Sequence, residues 1–108
     1  MGHPRPRPKL LPEKLRAIRK FLNIGVSGMT NKIKGEILAH SGHRYQLDPR
    51  RIWEYENGTR EPNRVVLIAY IHLGQVHLES LVDDDVTTDK FRKRLGKEFD
   101  HATLKRPR

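Results

Sequence analysis

Apolar residues recur along this chain at helical rather than strand spacing. Leu11, Leu15, Ile18 and Leu22 line one face, with Lys14, Arg16 and Lys20 elsewhere on the surface, as in an amphipathic helix. Pro12 is tolerated in a first turn, so helix 1 is predicted from about Pro12 to Leu22. From Asn23 to Leu47 the pattern is interrupted by Gly25, Gly28, Gly35 and Gly42, and only Met29, Ile33 and Ile37 keep an i, i+4, i+8 spacing. That predicts a second helix between Met29 and Ala39, then an exposed loop from Ser41 to Gln46. Asp48 offers an N-cap acceptor and Pro49 a first-turn residue whose missing N–H costs nothing. The third helix should run from Pro49 to about Asn57 and end at Gly58. Pro62 and Asn63 open a fourth, with Val66, Leu67, Tyr70 and Leu73 inward and Gly74 as its stop; a short fifth carries Leu78, Leu81 and Val82. No stretch alternates with a period of two, so the fold class is all-α with about five helices.

Charge adds a partner to this picture. The chain has 108 residues, one domain plus tails, with 22 Lys and Arg against 13 Asp and Glu for a formal charge of +9. A polyanion is the natural partner, through counterion release from phosphates. An anionic membrane surface competes for the same charge, but no apolar run approaches the roughly 20 residues of a membrane span. The Arg/Pro-rich start has no apolar segment of a signal peptide, which predicts a soluble cytoplasmic protein, held at the nucleoid by DNA. The absence of cysteine removes disulfides, thiolate zinc sites and Cys nucleophiles.

Residues 1–11 read as an extended basic arm, because Pro4, Pro6 and Pro8 separate Arg5 and Arg7 ahead of Lys9 and exclude a helix. Residues 12–85 form the expected domain and residues 86–108 a basic C-terminal tail. In that tail Phe91, Leu95 and Phe99 recur at i, i+4 and i+8 beside Lys90, Arg92, Lys93, Arg94 and Lys97. The spacing suits a frayed tail or a packing helix in a dimer better than a membrane-binding segment.

The run Ile52, Trp53, Glu54, Tyr55, Glu56, Asn57, Gly58, Thr59, Arg60, Glu61, closed by Pro62, resembles the end of the recognition helix in Cro/repressor-type helix-turn-helix transcriptional regulators, also called the xenobiotic-response-element family. The likeness covers roughly Pro12 to Asp85. Arg19 to Ile24 is similar to the end of the family's first helix, and Leu67 to Leu81 to its fourth and fifth. The Arg/Pro-rich start, Arg60-Glu61-Pro62 and the acidic triplet Asp83 to Asp85 are similar to a group of bacterial regulators of this type. A lambda-repressor-like domain is implied. Two departures stand out: the Gly25 to Leu47 stretch exceeds the family's second helix and turn by about a dozen residues, and Pro49 takes a position where the family often has a base-contacting polar side chain.

On a helix beginning at Pro49, Ile52, Tyr55 and Glu56 share one side, while Arg50, Trp53, Glu54 and Asn57 share the other. With Ile52 and Tyr55 inward, the second set faces a major groove. Arg50 is the candidate for guanine O6 and N7 and Glu54 for cytosine N4, each good pair discriminating by about 1–3 kcal/mol. Trp53 either covers a thymine methyl or lies half buried against the enlarged loop. Arg51 borders this face as a phosphate contact, and the resemblance puts Asn57 and Arg60 at the DNA backbone. Arg64 is either a further backbone contact or a plain surface cation, and Arg5 and Arg7 either occupy a minor groove or form a solubilising tail. The resemblance also implies an internal ion pair between Arg19 and Glu56, fixing helix 1 to helix 3.

His40 and His43 have a spacing that a metal could use, yet two loop ligands make no closed site and no acidic or cysteine partner is read near them. No metal and no cofactor are expected. No Ser-His-Asp grouping, Gly-rich phosphate loop or paired acidic motif offers an enzyme, and Asp83 to Asp85 reads as a helix-terminating run. The expected function is sequence-specific binding of double-stranded DNA by a small transcriptional regulator, as a homodimer. The alternatives are the antitoxin of a toxin-antitoxin pair, whose tail holds a toxin, and a protein-interaction module that keeps the fold without reading DNA.

Overall fold

The computed structural model describes residues 8–98, folded as six helices: α1 (Leu11–Phe21), α2 (Val26–Ser41), α3 (Pro49–Asn57), α4 (Arg64–Gly74), α5 (Leu78–Val82) and α6 (Thr88–Arg94). No strand occurs among the described residues. The all-α class follows, with one helix beyond the expected five.

α1 buries Leu11, Leu15 and Ile18 and packs against α3, α4, α5 and α6. Its first turn has no side-chain cap of its own. Just ahead of it, the Asp84 carboxylate beyond α5 accepts the backbone N–H groups of Lys9 at 2.9 Å and Leu10 at 3.0 Å. Those two bonds hold the Asp84 carboxyl below the usual carboxylate range. The acidic triplet therefore does more than end α5: it ties the end of that helix to the residues that lead into α1.

Lys14 overturns its expected surface position. Its side chain is completely buried, and Nζ donates to the carbonyl oxygens of Ser80 at 2.7 Å and Asp83 at 2.8 Å. Helical periodicity leaves Lys14 beside the apolar stripe, and α5 and Phe91, 5.6 Å away, cover it. The ammonium meets carbonyls at the end of α5, of which that of Asp83 also accepts Val86 N–H at 3.0 Å.

α2 runs longer than its glycines suggest, from Val26 to Ser41 rather than Met29 to Ala39. Met29, Ile33 and Ile37 hold it to the core, and Gly35 faces open space where a helical glycine is tolerated. Gly42, at φ +77°, then ends it in a left-handed turn. In α4 the expected stop is displaced by one residue. Gly74 is still helical, and Gln75 takes the left-handed cap at φ 52°. Glycine is needed at 74 for another reason: a Cβ there would come within 3.0 Å of Ile18, so it sets how closely α4 approaches α1.

The folded unit continues past Asp85, the boundary drawn from the sequence. Phe91 and Leu95 are buried in the same core as α1, and Thr88 donates to Glu13 at 2.9 Å. Beyond α6, Gly96 N–H reaches the Gly74 carbonyl at 2.7 Å, and the Glu98 carboxylate accepts from His77 N–H at 2.8 Å and Ser80 Oγ at 2.7 Å. Phe99 lies outside the described residues. Leu78 is among the exposed large apolar side chains; the five-residue α5 buries Ser80 and Leu81 and packs Val82 partly against the core.

Tyr70 sits at the centre with no exposed surface, and its hydroxyl has no hydrogen-bond partner among the described residues. Burial pushes its phenol pKa up. Tyr70→Phe should raise unfolding free energy by about 1 kcal/mol, because it removes a desolvated, unsatisfied hydroxyl without leaving a void. Urea unfolding checks this; a loss of similar size would mean the hydroxyl has a partner.

Candidate nucleic-acid interface

α3 is built by strong local signals at both ends. The Asp48 carboxylate accepts Arg51 N–H at 3.2 Å, Pro49 fills the first turn, and Gly58, at φ +78°, reverses the chain. Between those ends the helix divides as a two-sided element. Ile52, Tyr55 and Glu56 are buried, whereas Arg50, Arg51, Trp53 and Asn57 are exposed.

The inward side is locked to α1 by charge. Glu56 is only 4% exposed, and its two carboxylate oxygens accept from Arg19 Nε at 2.7 Å and Arg19 Nη2 at 2.9 Å. Arg19 Nη1 also donates to the Ile24 carbonyl at 3.1 Å, tying the same guanidinium to the segment entering α2. Arg16, absent from the expected site, donates to the Glu56 carbonyl at 2.9 Å. Two arginines of α1 thus hold the end of α3. Rotation of α3 about its axis would break a two-pronged charged contact, the more directional kind.

On the outward side Arg50 has no ion-pair partner among the described residues, and Trp53 is 56% exposed rather than buried against the loop. Glu54 is engaged within the protein: its Oε1 lies 3.0 Å from Arg60 Nε and 3.6 Å from Arg51 Nε. Asn57 turns its amide back on the helix, donating to the Trp53 carbonyl at 2.7 Å. Arg64 is exposed at the start of α4. Arg5 and Arg7 lie outside the described residues. Pro8 and Lys9, where that arm joins the fold, line a shallow groove with Arg60, Glu61 and Pro62.

The long stretch from Gly25 to Leu47 resolves into two parts. α2 has 16 residues, and residues 42–48 connect it to α3, a longer link than the 3–4-residue turn usual in helix-turn-helix units. Tyr45 anchors the link. It packs half buried against the core and its hydroxyl accepts from Asn63 Nδ2 at 2.6 Å, while Asn63 Oδ1 caps α4 through Val66 N–H at 3.0 Å. Arg44 stands exposed beside it, a cation that sequence reading treated only as loop.

The histidines group differently from their sequence spacing. His40 meets Glu36, one turn earlier on α2, and His72 from α4; His43 stays exposed in the connecting loop. Glu36, four residues before His40 in the sequence, is an acidic partner that the reading of the two loop histidines overlooked. His72 joins them only through the packing of α4 on α2, which no local pattern gives.

Comparison with protein-family models, with curated proteins and with solved structures finds no match for this chain. Among the described residues no helix is long and apolar enough to cross a membrane.

Proposed function

We propose that this chain binds double-stranded DNA sequence-specifically as a Cro/repressor-type transcriptional regulator, with α3 in the major groove. The observation that carries the reading is the division of α3: an inward side fixed by the Arg19–Glu56 pair and an outward side presenting Arg50 and Trp53. A helix held rigidly from behind and exposing an arginine in front has what base readout needs, a donor whose position is set before binding. The net charge of +9 supplies the sequence-independent attraction.

The roles divide by what each side chain is free to do. Arg50 reads a guanine, and Trp53 covers a thymine methyl or the adjoining sugar. Arg51, Arg60 and Arg64 meet phosphates, with Glu54 aiming the first two instead of accepting from cytosine. That changes the expected role of Glu54, because breaking its two exposed pairs would precede any base contact. Asn57 serves the helix end, and Arg5 and Arg7 take a neighbouring minor groove. Such domains commonly bind two half-sites as dimers. In this chain α6 uses its apolar side against α1, so a dimer would instead draw on exposed apolar residues of α4 and α5, Val65, Ile68 and Leu78.

Arg50→Ala should relax preference at one base position by about 1–3 kcal/mol and leave the others intact. Selection of bound duplexes from a random pool, run with both proteins, checks it. A uniform loss across all sequences would make Arg50 a phosphate anchor.

A further inference from the structure

On the face where α2 packs against α4, three ligand atoms converge. Glu36 Oε1 lies 3.0 Å from His40 Nε2. His72 Nδ1 lies 3.0 Å from the same His40 nitrogen and 3.6 Å from the same Glu36 oxygen. The rings are 4.5 Å apart between centroids and tilted, so the contact is made by the nitrogens and not by stacking. Two imidazole nitrogens and one carboxylate oxygen form a triangle of potential ligand atoms with edges of 3.0, 3.0 and 3.6 Å.

That triangle has the dimensions of one face of a zinc tetrahedron. Bonds of about 2.0–2.1 Å put the ligand atoms of tetrahedral zinc about 3.3 Å apart, and the three edges here bracket that value. An ion about 2.05 Å from all three atoms would sit about 0.8 Å out of their plane, against about 0.7 Å in a regular tetrahedron. The ligand atoms need move only by tenths of an ångström. Two imidazoles favour zinc over calcium or magnesium, which take oxygen ligands.

The surroundings suit an ion as well. Glu36 and His72 are partly covered and His40 is more exposed, which leaves one side of the triangle open to solvent for entry. Ile37, Val65, Ile68 and Ala69 line the pocket adjoining Glu36 and His40, and low-polarity walls strengthen a charged contact.

We propose that Glu36, His40 and His72 bind one zinc ion, with water in the fourth position. The ion cross-links α2 to α4, so it binds the folded chain and stabilises it by mass action. The inference is independent of DNA binding, since no residue of α3 takes part.

The test uses the full-length chain without a histidine tag, freed of metal by chelation and dialysis. Cobalt(II) is titrated in while its visible d–d absorption is followed, then displaced with zinc; thermal unfolding is recorded in zinc and in magnesium. The expected result is one cobalt per chain with the intense absorption of tetrahedral coordination, displacement by zinc, and a melting temperature raised by zinc and not by magnesium. His40→Ala and His72→Ala, with folding verified by circular dichroism, should each weaken zinc binding by more than about 100-fold, beyond the loss caused by removing an outer-shell partner. His43→Ala should bind as the parent does. Absence of saturable one-to-one binding by the parent overturns the proposal, whatever the variants do. So does parent-like affinity in a folded His40→Ala or His72→Ala chain.

Discussion

Arg19→Met is expected to lower the free energy of unfolding by about 3–5 kcal/mol, because it leaves the Glu56 carboxylate buried without its two-pronged partner. Arg16 Nε, at 3.8 Å from Glu56 Oε1, keeps an ion-pair distance but makes no hydrogen bond to the carboxylate, so it offsets only part of the loss. For a domain whose total stability is about 5–15 kcal/mol, that loss unfolds much of the population on modest warming. Glu56→Leu should cost less. The guanidinium it strands keeps its bond to the Ile24 carbonyl and some access to water. Combining Arg19→Met with Glu56→Leu should recover much of the loss, since apolar replacements of similar volume leave no uncompensated charge. Urea unfolding of the four proteins gives the coupling energy directly. Independent, additive effects of the two single changes would show that the pair contributes nothing to fixing α1 on α3.

Lys14→Ala should be nearly as damaging, at about 3–5 kcal/mol, for two reasons that separate experimentally. It takes the donor from the Ser80 carbonyl and one of two donors from the Asp83 carbonyl, which keeps Val86 N–H, and it empties the space of a fully buried four-carbon stem. Lys14→Met keeps the stem's volume and loses only the donor, so it should cost about 1–3 kcal/mol. The same residue predicts a pH effect. Burial pushes the Lys14 ammonium below its ordinary pKa, with Asp84 and Asp83 working against the shift. Between the folded and unfolded pKa values the unfolded chain binds more protons, so the parent should gain stability as pH rises through that window. Lys14→Met lacks that gain. Equal slopes for the two proteins in alkaline urea titrations would contradict the assignment, as would a Lys14→Ala chain melting with the parent.

How much of this was legible in the sequence follows the range of each interaction. α3 was readable to the residue because its signals are local: Asp48-Pro49 at one end, Gly58 at the other, and an inward set three and four positions apart. α2 was read too short, since Gly28 and Gly35 lower helix propensity while burial of Met29, Ile33 and Ile37 outweighs it. Gly74 was misread as a stop because glycine serves both chain reversal and close approach, and sequence does not distinguish them. The unit was closed too early at Asp85 for want of a tertiary fact, the burial of Phe91 and Leu95 against α1.

The outward face of α3 shows the same limit. Spacing assigned Arg50, Trp53, Glu54 and Asn57 to one side. It gave no sign that Arg60 and Arg51 engage Glu54, or that Asn57 folds back on its own helix. Lys14 and His72 were missed because their partners lie on other helices. Arg16 was nearer to hand: once Arg19 is paired with Glu56, a second cation one turn earlier on α1 faces the same helix end.

Titration of the full-length chain with a duplex selected from a random pool, beside a scrambled duplex of equal length, over about 50–200 mM salt, bears most directly on the proposal that α3 reads DNA. The expected result is a steep fall of log affinity with log salt for both duplexes, by about three units or more, with the selected one bound at least about 1,000-fold tighter. A slope near zero, or equal affinity for the two duplexes at every salt concentration, would contradict it.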